Sequence, residues 1–136
     1  TLKFPTGNVT ADRFLKVDSI TGSGTTAVGQ LSFGEVSGGT SWQAVKTSNF
    51  TAVAGEGYFV NTTSGAITAT LPSSASIGDE VSIIDYAGTA DSNNITIGRN
   101  SHKIQGASAD LTVSVERAAF TLVYVDSTQG WLLREK

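Results

Sequence analysis

The sequence predicts an all-β protein: an antiparallel, jelly-roll-like β-sandwich preceded by an extended N-terminal β arm. Three observations carry that expectation. Of 136 residues, 18 are Thr, 16 are Ser and 15 are Gly, so β-branched, hydroxyl and glycine residues crowd out the good helix formers. From residue 56 onward, apolar and polar residues alternate in short runs with period two, the pattern of half-buried strands. The first 49 residues hold only scattered apolar islands. The expected division is therefore an arm over 1–49 and a globular domain over 50–136.

In the arm, Leu2–Phe4, Phe14–Val17, Leu31–Phe33 and Trp42–Val45 are the apolar islands, and Gly22, Gly24, Gly29, Gly34, Gly38 and Gly39 interrupt every run. Thr10–Ser19 is the one stretch with any helical character. Thr10 offers a cap, but no Glu or Gln stands three residues later to complete a capping box. It reads as a strand or irregular turn, with a short helix as the alternative. Islands this sparse do not offset their own ordering entropy in an isolated chain. A flexible leader rarely keeps three Phe, a Trp and several Val and Leu. The arm is therefore expected to fold against copies of itself, with Phe4, Phe14, Leu31, Phe33 and Trp42 at the subunit interface; packing on its own domain is the alternative.

The domain reads as a series of strands. Tyr58–Val60 leads, and Ile67, Ala69 and Leu71 alternate with Thr68 and Thr70 until Pro72, which has no N–H for a ladder. Val81–Tyr86, Ile95–Ile97, Leu111–Val115, Phe120–Val125 and Trp131–Leu133 follow. The separators are turn material: Ile77-Gly78-Asp79, Ala87-Gly88-Thr89, Gly98-Arg99-Asn100 and Gln105-Gly106-Ala107. Asn61–Gly65 reads as a hairpin loop between Tyr58–Val60 and Ile67–Leu71, and Asp126–Gly130 as another between the last two strands. Short strands at this spacing suit a sandwich or barrel.

Composition removes several functions. The absence of Cys excludes a disulfide scaffold, a thiol nucleophile and Cys-ligated zinc or iron–sulfur sites. A net charge of −3 without a Lys/Arg cluster argues against nucleic acid as a partner. No apolar run approaches the ~18 residues of a membrane-spanning helix, so membrane insertion is not expected. Nothing in the residues calls for a cofactor or a metal.

The residues Gly57-Tyr58-Phe59-Val60-Asn61-Thr62-Thr63-Ser64-Gly65-Ala66-Ile67-Thr68-Ala69-Thr70-Leu71-Pro72 and Gly78-Asp79-Glu80-Val81-Ser82-Ile83-Ile84-Asp85-Tyr86-Ala87-Gly88 form a recognisable series. Asn93–Asn100, Ile104-Gln105-Gly106, Phe120–Val125 and Gly130-Trp131 continue it. Over about residues 50–136 the series resembles segments of tail-fibre-like and other virion structural proteins of tailed bacteriophages, notably marine phages similar to T-even myophages of cyanobacteria. Leu31–Val36 and Gly39–Trp42 are similar to the linker repeats of phage fibres. The resemblance implies a β-rich homotrimer made in the bacterial cytoplasm and carried on the virion surface. It implies contact with other virion proteins and adhesion to host-surface polysaccharide, and it implies no enzymatic activity. A capsid decoration or head-fibre protein is the alternative within that class, and a monomeric carbohydrate-binding module the alternative outside it.

Bland readings compete with every chemical one. Asp79 and Glu80 are adjacent, so on a strand they face opposite sides and read as a charged turn. Asp85, Asp91, Asp110 and Asp126 stand at strand ends, where Asp side chains cap turns; an oxygen-ligand cation site is the weaker reading. A Ser/His/Asp triad can be drawn around His102, but no nucleophile elbow accompanies it, and a glycosidase carboxylate pair would need a longer chain. Aromatic faces are the better clue. Tyr58, Tyr86, Trp42 and Trp131 are the rings available to stack on sugars, with Trp131 and Tyr124 expected in the core. The receptor-facing loops are expected around Asp91, Asn93, Asn94, Asn100, His102 and Gln105.

Overall fold

In the computed structural model, residues 2–3, 13–22, 28–35 and 39–134 are described. They hold twelve strands and no helix. The chain divides into two compact units, Thr1–Gly38 and Gly39–Lys136. The division falls before the expected boundary at 49/50, because Ser41–Trp42 and Phe50–Thr51 already pair with strands of the second unit.

The first unit is one mixed sheet of order β1-β3-β2, built from β1 (Leu2–Lys3), β2 (Arg13–Thr21) and β3 (Val28–Glu35). β2 and β3 form an antiparallel hairpin whose register shifts between Val17 and Ser19. Of the two readings of Thr10–Ser19, the strand holds from Arg13 onward. Phe4 lies outside the described residues. Phe14 and Phe33 lie on β2 and β3, near each other in register, with Leu15 directly opposite Phe33.

The second unit contains β4 (Ser41–Trp42), β5 (Phe50–Thr51), β6 (Glu56–Val60), β7 (Ile67–Thr70), β8 (Glu80–Asp85), β9 (Ile95–Gly98), β10 (Leu111–Val113), β11 (Ala119–Asp126) and β12 (Gly130–Leu133). They form two sheets, of order β12-β11-β8-β6-β4 and β10-β9-β7-β5. The sheets are mixed, which corrects the expected antiparallel sandwich. β4, β6 and β8 run parallel in one sheet, and β5, β7 and β9 run parallel in the other. The chain alternates between sheets with each strand, so the first six strands wind as coils of a short parallel solenoid. Antiparallel β10, β11 and β12 then close its end.

The loop at 61–66 is therefore a crossing between sheets and not the expected hairpin. Period-two alternation marks which face of a strand is buried but says nothing about its partner or direction. The crossing is held to the next coil. Thr62, fully buried, pairs its hydroxyl with that of Thr89 at 2.8 Å, and Asn93 donates from Nδ2 to the Thr62 carbonyl at 2.9 Å. The expected hairpin between Phe120–Val125 and Trp131–Leu133 does form.

One core lies between the two sheets. Tyr58, Val60, Val81, Ile83, Leu122 and Trp131 enter it from the larger sheet, and Ile67, Ala69, Ile95, Ile97 and Val113 from the smaller. Trp131 is completely buried and meets Tyr124 edge-on, with ring centres 5.4 Å apart.

Candidate functional site

The coil topology separates the loops expected to form one receptor surface. Because β6 and β8 run parallel, their C-terminal ends share one edge of the unit. The loop holding Asp91, Asn93 and Asn94 leaves β8 at that edge. The loop holding Asn100, His102 and Gln105 follows β9, and β7 and β9 end at the opposite edge.

Most of these polar groups are engaged in the fold. Besides its side-chain bond to Thr62, Asn93 donates its backbone N–H to Thr89. The Asn94 carbonyl accepts from Ile67. Asn100 donates from Nδ2 to the Leu71 carbonyl at 2.9 Å, and His102 sets Nε2 3.0 Å from the Ser73 carbonyl with its ring edge-on to Tyr124. Gln105 adopts φ 50 and donates its N–H to the Trp131 carbonyl. Asp91 is exposed and accepts from the Ser92 hydroxyl.

The other carboxylates act as turn caps. Asp79 accepts from the Ser76 N–H, Asp110 from Arg99, and Asp126 from both Thr128 and Gln129. Asp85 is 1% exposed. Burial alone pushes its pKa up, but hydrogen bonds from the N–H groups of Ala90, Arg117, Thr89 and Gly88 outweigh burial and hold the carboxyl below its ordinary 3.8. Among the described residues, no three His, Asp or Glu side chains come together in a metal-binding group.

Of the four rings available to stack on sugars, Trp131 is in the core as expected and Tyr58 is buried there too, whereas Trp42 is 46% and Tyr86 51% exposed. Both exposed rings border the outward face of the five-stranded sheet. Alternation explains that face. Val81 and Ile83 point into the core, so Ser82 and Ile84 point out. Register aligns Trp42, Gly57, Ser82 and Thr121 in one row across β4, β6, β8 and β11. Arg134 extends the row, since its N–H donates to the Thr121 carbonyl at 2.9 Å. The next row is Phe59, Ile84 and Ala119.

The result is a groove. Gly57 leaves a gap in which the Trp42 ring lies: a Cβ there would stand 2.6 Å from Trp42 Cε3. Trp42 also stacks on Phe59, with ring centres 4.9 Å apart. The floor is the Ser82–Thr121 hydroxyl pair, 2.9 Å apart. The far wall is the Arg134 guanidinium, which donates to Glu80 at 3.1 Å and to the Thr121 hydroxyl at 3.4 Å. This hollow encloses about 220 Å³. Across Ile84 it meets a second hollow of about 490 Å³ bounded by Val45, Phe59, Tyr86 and Arg117. Arg117, at φ 58, donates to the Tyr86 carbonyl at 2.8 Å.

Residue reading found Trp42 and Tyr86 but not Gly57, Ser82, Thr121 or Arg134. Ser82 and Thr121 are polar members of alternating runs; that they share a row depends on register, which the sequence does not display.

In the first unit, Leu31 is buried, but Val17 and Ile20 are 56% and 69% exposed. The chain matches no known family model and no curated protein sequence.

Proposed function

We propose that this chain is a non-enzymatic structural protein of a tailed-phage virion, resembling a tail fibre. It assembles as a homotrimer through its N-terminal unit. The observation that carries the reading is the N-terminal sheet itself. Among the described residues it is a single layer that leaves Val17 and Ile20 exposed. Among the described residues, its nine-residue β2 is an edge strand of that sheet. A long edge strand invites pairing with another chain, and identical chains meet most simply around a symmetry axis.

Light scattering during size-exclusion chromatography tests this. The expected mass is about three times 14.1 kDa for the full chain and that of a monomer for a chain reduced to residues 39–136. A monomeric full chain would sink the reading. Antibody labelling of particles then separates a tail fibre from a capsid decoration or head fibre. The exposed Trp42 groove favours the second reading, a carbohydrate-binding module, which would be monomeric.

A further inference from the structure

The row Trp42–Gly57–Ser82–Thr121–Arg134 presents, in order, an aromatic ring seated over a glycine, two hydroxyls and a guanidinium. We infer that this groove on the outward face of the five-stranded sheet binds a neutral oligosaccharide, with Trp42 as the stacking platform and Ser82, Thr121 and Arg134 as the hydrogen-bonding floor and wall.

A pyranose ring has an apolar C–H face and a rim of hydroxyls that both donate and accept. The groove offers the matching pair of surfaces. Trp42 is half-exposed although it rests in the gap at Gly57 and stacks on Phe59, so its position is fixed from below while part of its surface stays open. A ring held in place gives contact area at low entropic cost. Ser82 and Thr121 are 6% and 5% exposed despite pointing away from the core. A hydroxyl pair carries two donors and four lone pairs; their mutual bond takes one donor and one lone pair and Arg134 takes a second lone pair, so one donor and two lone pairs remain for a ligand. Arg134 is held in place by Glu80, which cancels its charge, and a neutral ligand suits that balance better than an anionic one.

The groove also continues. The second hollow, across Ile84, repeats the combination of an exposed ring (Tyr86) and a guanidinium (Arg117). An extended chain of sugars places successive rings along such a path.

The site draws on the proposed function only for where the ligand would be met. Its failure is distinguishable from the failure of assembly: a trimer that ignores sugars overturns the site alone, and a monomer that binds them overturns the trimer alone.

The test uses the two indole N–H resonances of the intact ¹⁵N-labelled protein. The probes are cellotetraose, maltotetraose, chitotetraose and β-1,4-mannotetraose. Trp131, being fully buried, is the internal control. The expected result is saturable movement of the Trp42 signal by at least one probe while the Trp131 signal stays in place. Trp42→Ala should weaken that binding at least about tenfold, read from backbone amides of β8 and β11. Thr121→Val, which keeps the shape of the floor, should weaken it about threefold or more. An unmoved Trp131 signal reports that each variant is folded, and Thr121→Val serves alone if Trp42→Ala is not. No movement of Trp42 with any probe up to about 10 mM, or undiminished binding by a folded variant, overturns the assignment. So does a Trp42 signal that moves only when the protein itself is concentrated, which would give the groove to a second copy.

Discussion

Asp85 and Tyr58 show how single polar groups are made tolerable inside the second unit. Asp85 accepts from Gly88, Thr89 and Ala90 at the start of its own loop and from Arg117 across the sheet. It thereby ties two loops to the end of β8. Its carboxyl is held below its ordinary 3.8 in the folded protein. The carboxylate's contribution to stability is therefore present above the unfolded value and lost as pH falls through the lower folded one. Asp85→Asn should cost about 2–4 kcal/mol at neutral pH, because an amide turns an N–H toward backbone donors. It should also flatten the fall in stability below about pH 4; urea titrations at a series of pH values read both effects. Tyr58 behaves in the opposite sense. Burial first, and then its hydrogen bond to Glu56, push its pKa to about 12. Its neutral form is favoured by folding, so stability is complete below the unfolded value of 10.0 and declines as pH rises toward 12. Tyr58→Phe should remove that alkaline decline and lose about 1–2 kcal/mol at pH 7, since the Val53 N–H, which donates to the Tyr58 oxygen at 2.8 Å, is left without it.

At the scale of elements, the strands were legible and, apart from the β11–β12 hairpin, their partners were not. Alternation located β7 to β12 to within a residue or two, and glycine marked turns that require positive φ, as at Gly78, Gly88 and Gly106. Parallel pairing left no local mark. A crossing between sheets and a hairpin can share the same turn residues, and what decides between them is contact with a coil some 25 residues away, as in the Thr62–Thr89 bond. The candidate site divided in the same way. Trp42 and Tyr86 were legible as rings; the groove between them exists only because register places Gly57 beside Trp42 and Ser82 beside Thr121. The start of β12 gives a sharp test of element packing. Gly130 sits at φ 73, and a Cβ there would fall 1.9 Å from the Lys103 carbonyl oxygen. Trp131 donates its N–H to that same oxygen, so the backbone has no room to retreat without releasing the 103–106 loop. Gly130→Ala should lose about 2–4 kcal/mol from the combined strain and clash, read as a lowered melting temperature. Gly57→Ala is the contrasting case. Its obstacle is the Trp42 ring and not backbone, so stability should change by less than about 1 kcal/mol while Trp42 emission shifts to longer wavelength as the ring is displaced into water.

At the scale of the molecule, the two units differ in how they bury apolar surface. The second encloses its own core, with Trp131, Val60, Val81, Ile95, Ile97 and Leu122 all at 0% exposure. Its stability should not depend on protein concentration. The described residues of the first form one mixed sheet that exposes Val17 and Ile20, and a sheet of a few strands is by itself marginal in water. If association completes that unit, its stability is linked to protomer concentration by mass action. Amide hydrogen exchange separates the two cases within one sample. Protection along β8 and β11 should be the same at all concentrations, because those strands are central in their sheet and bury their own side chains. Protection along β2 should fall as the protein is diluted, and should fall together with the mass measured by light scattering. Protection of β2 that persists in a monomer would mean that the first unit is stable without a partner, and the exposed edge would then have no part in assembly.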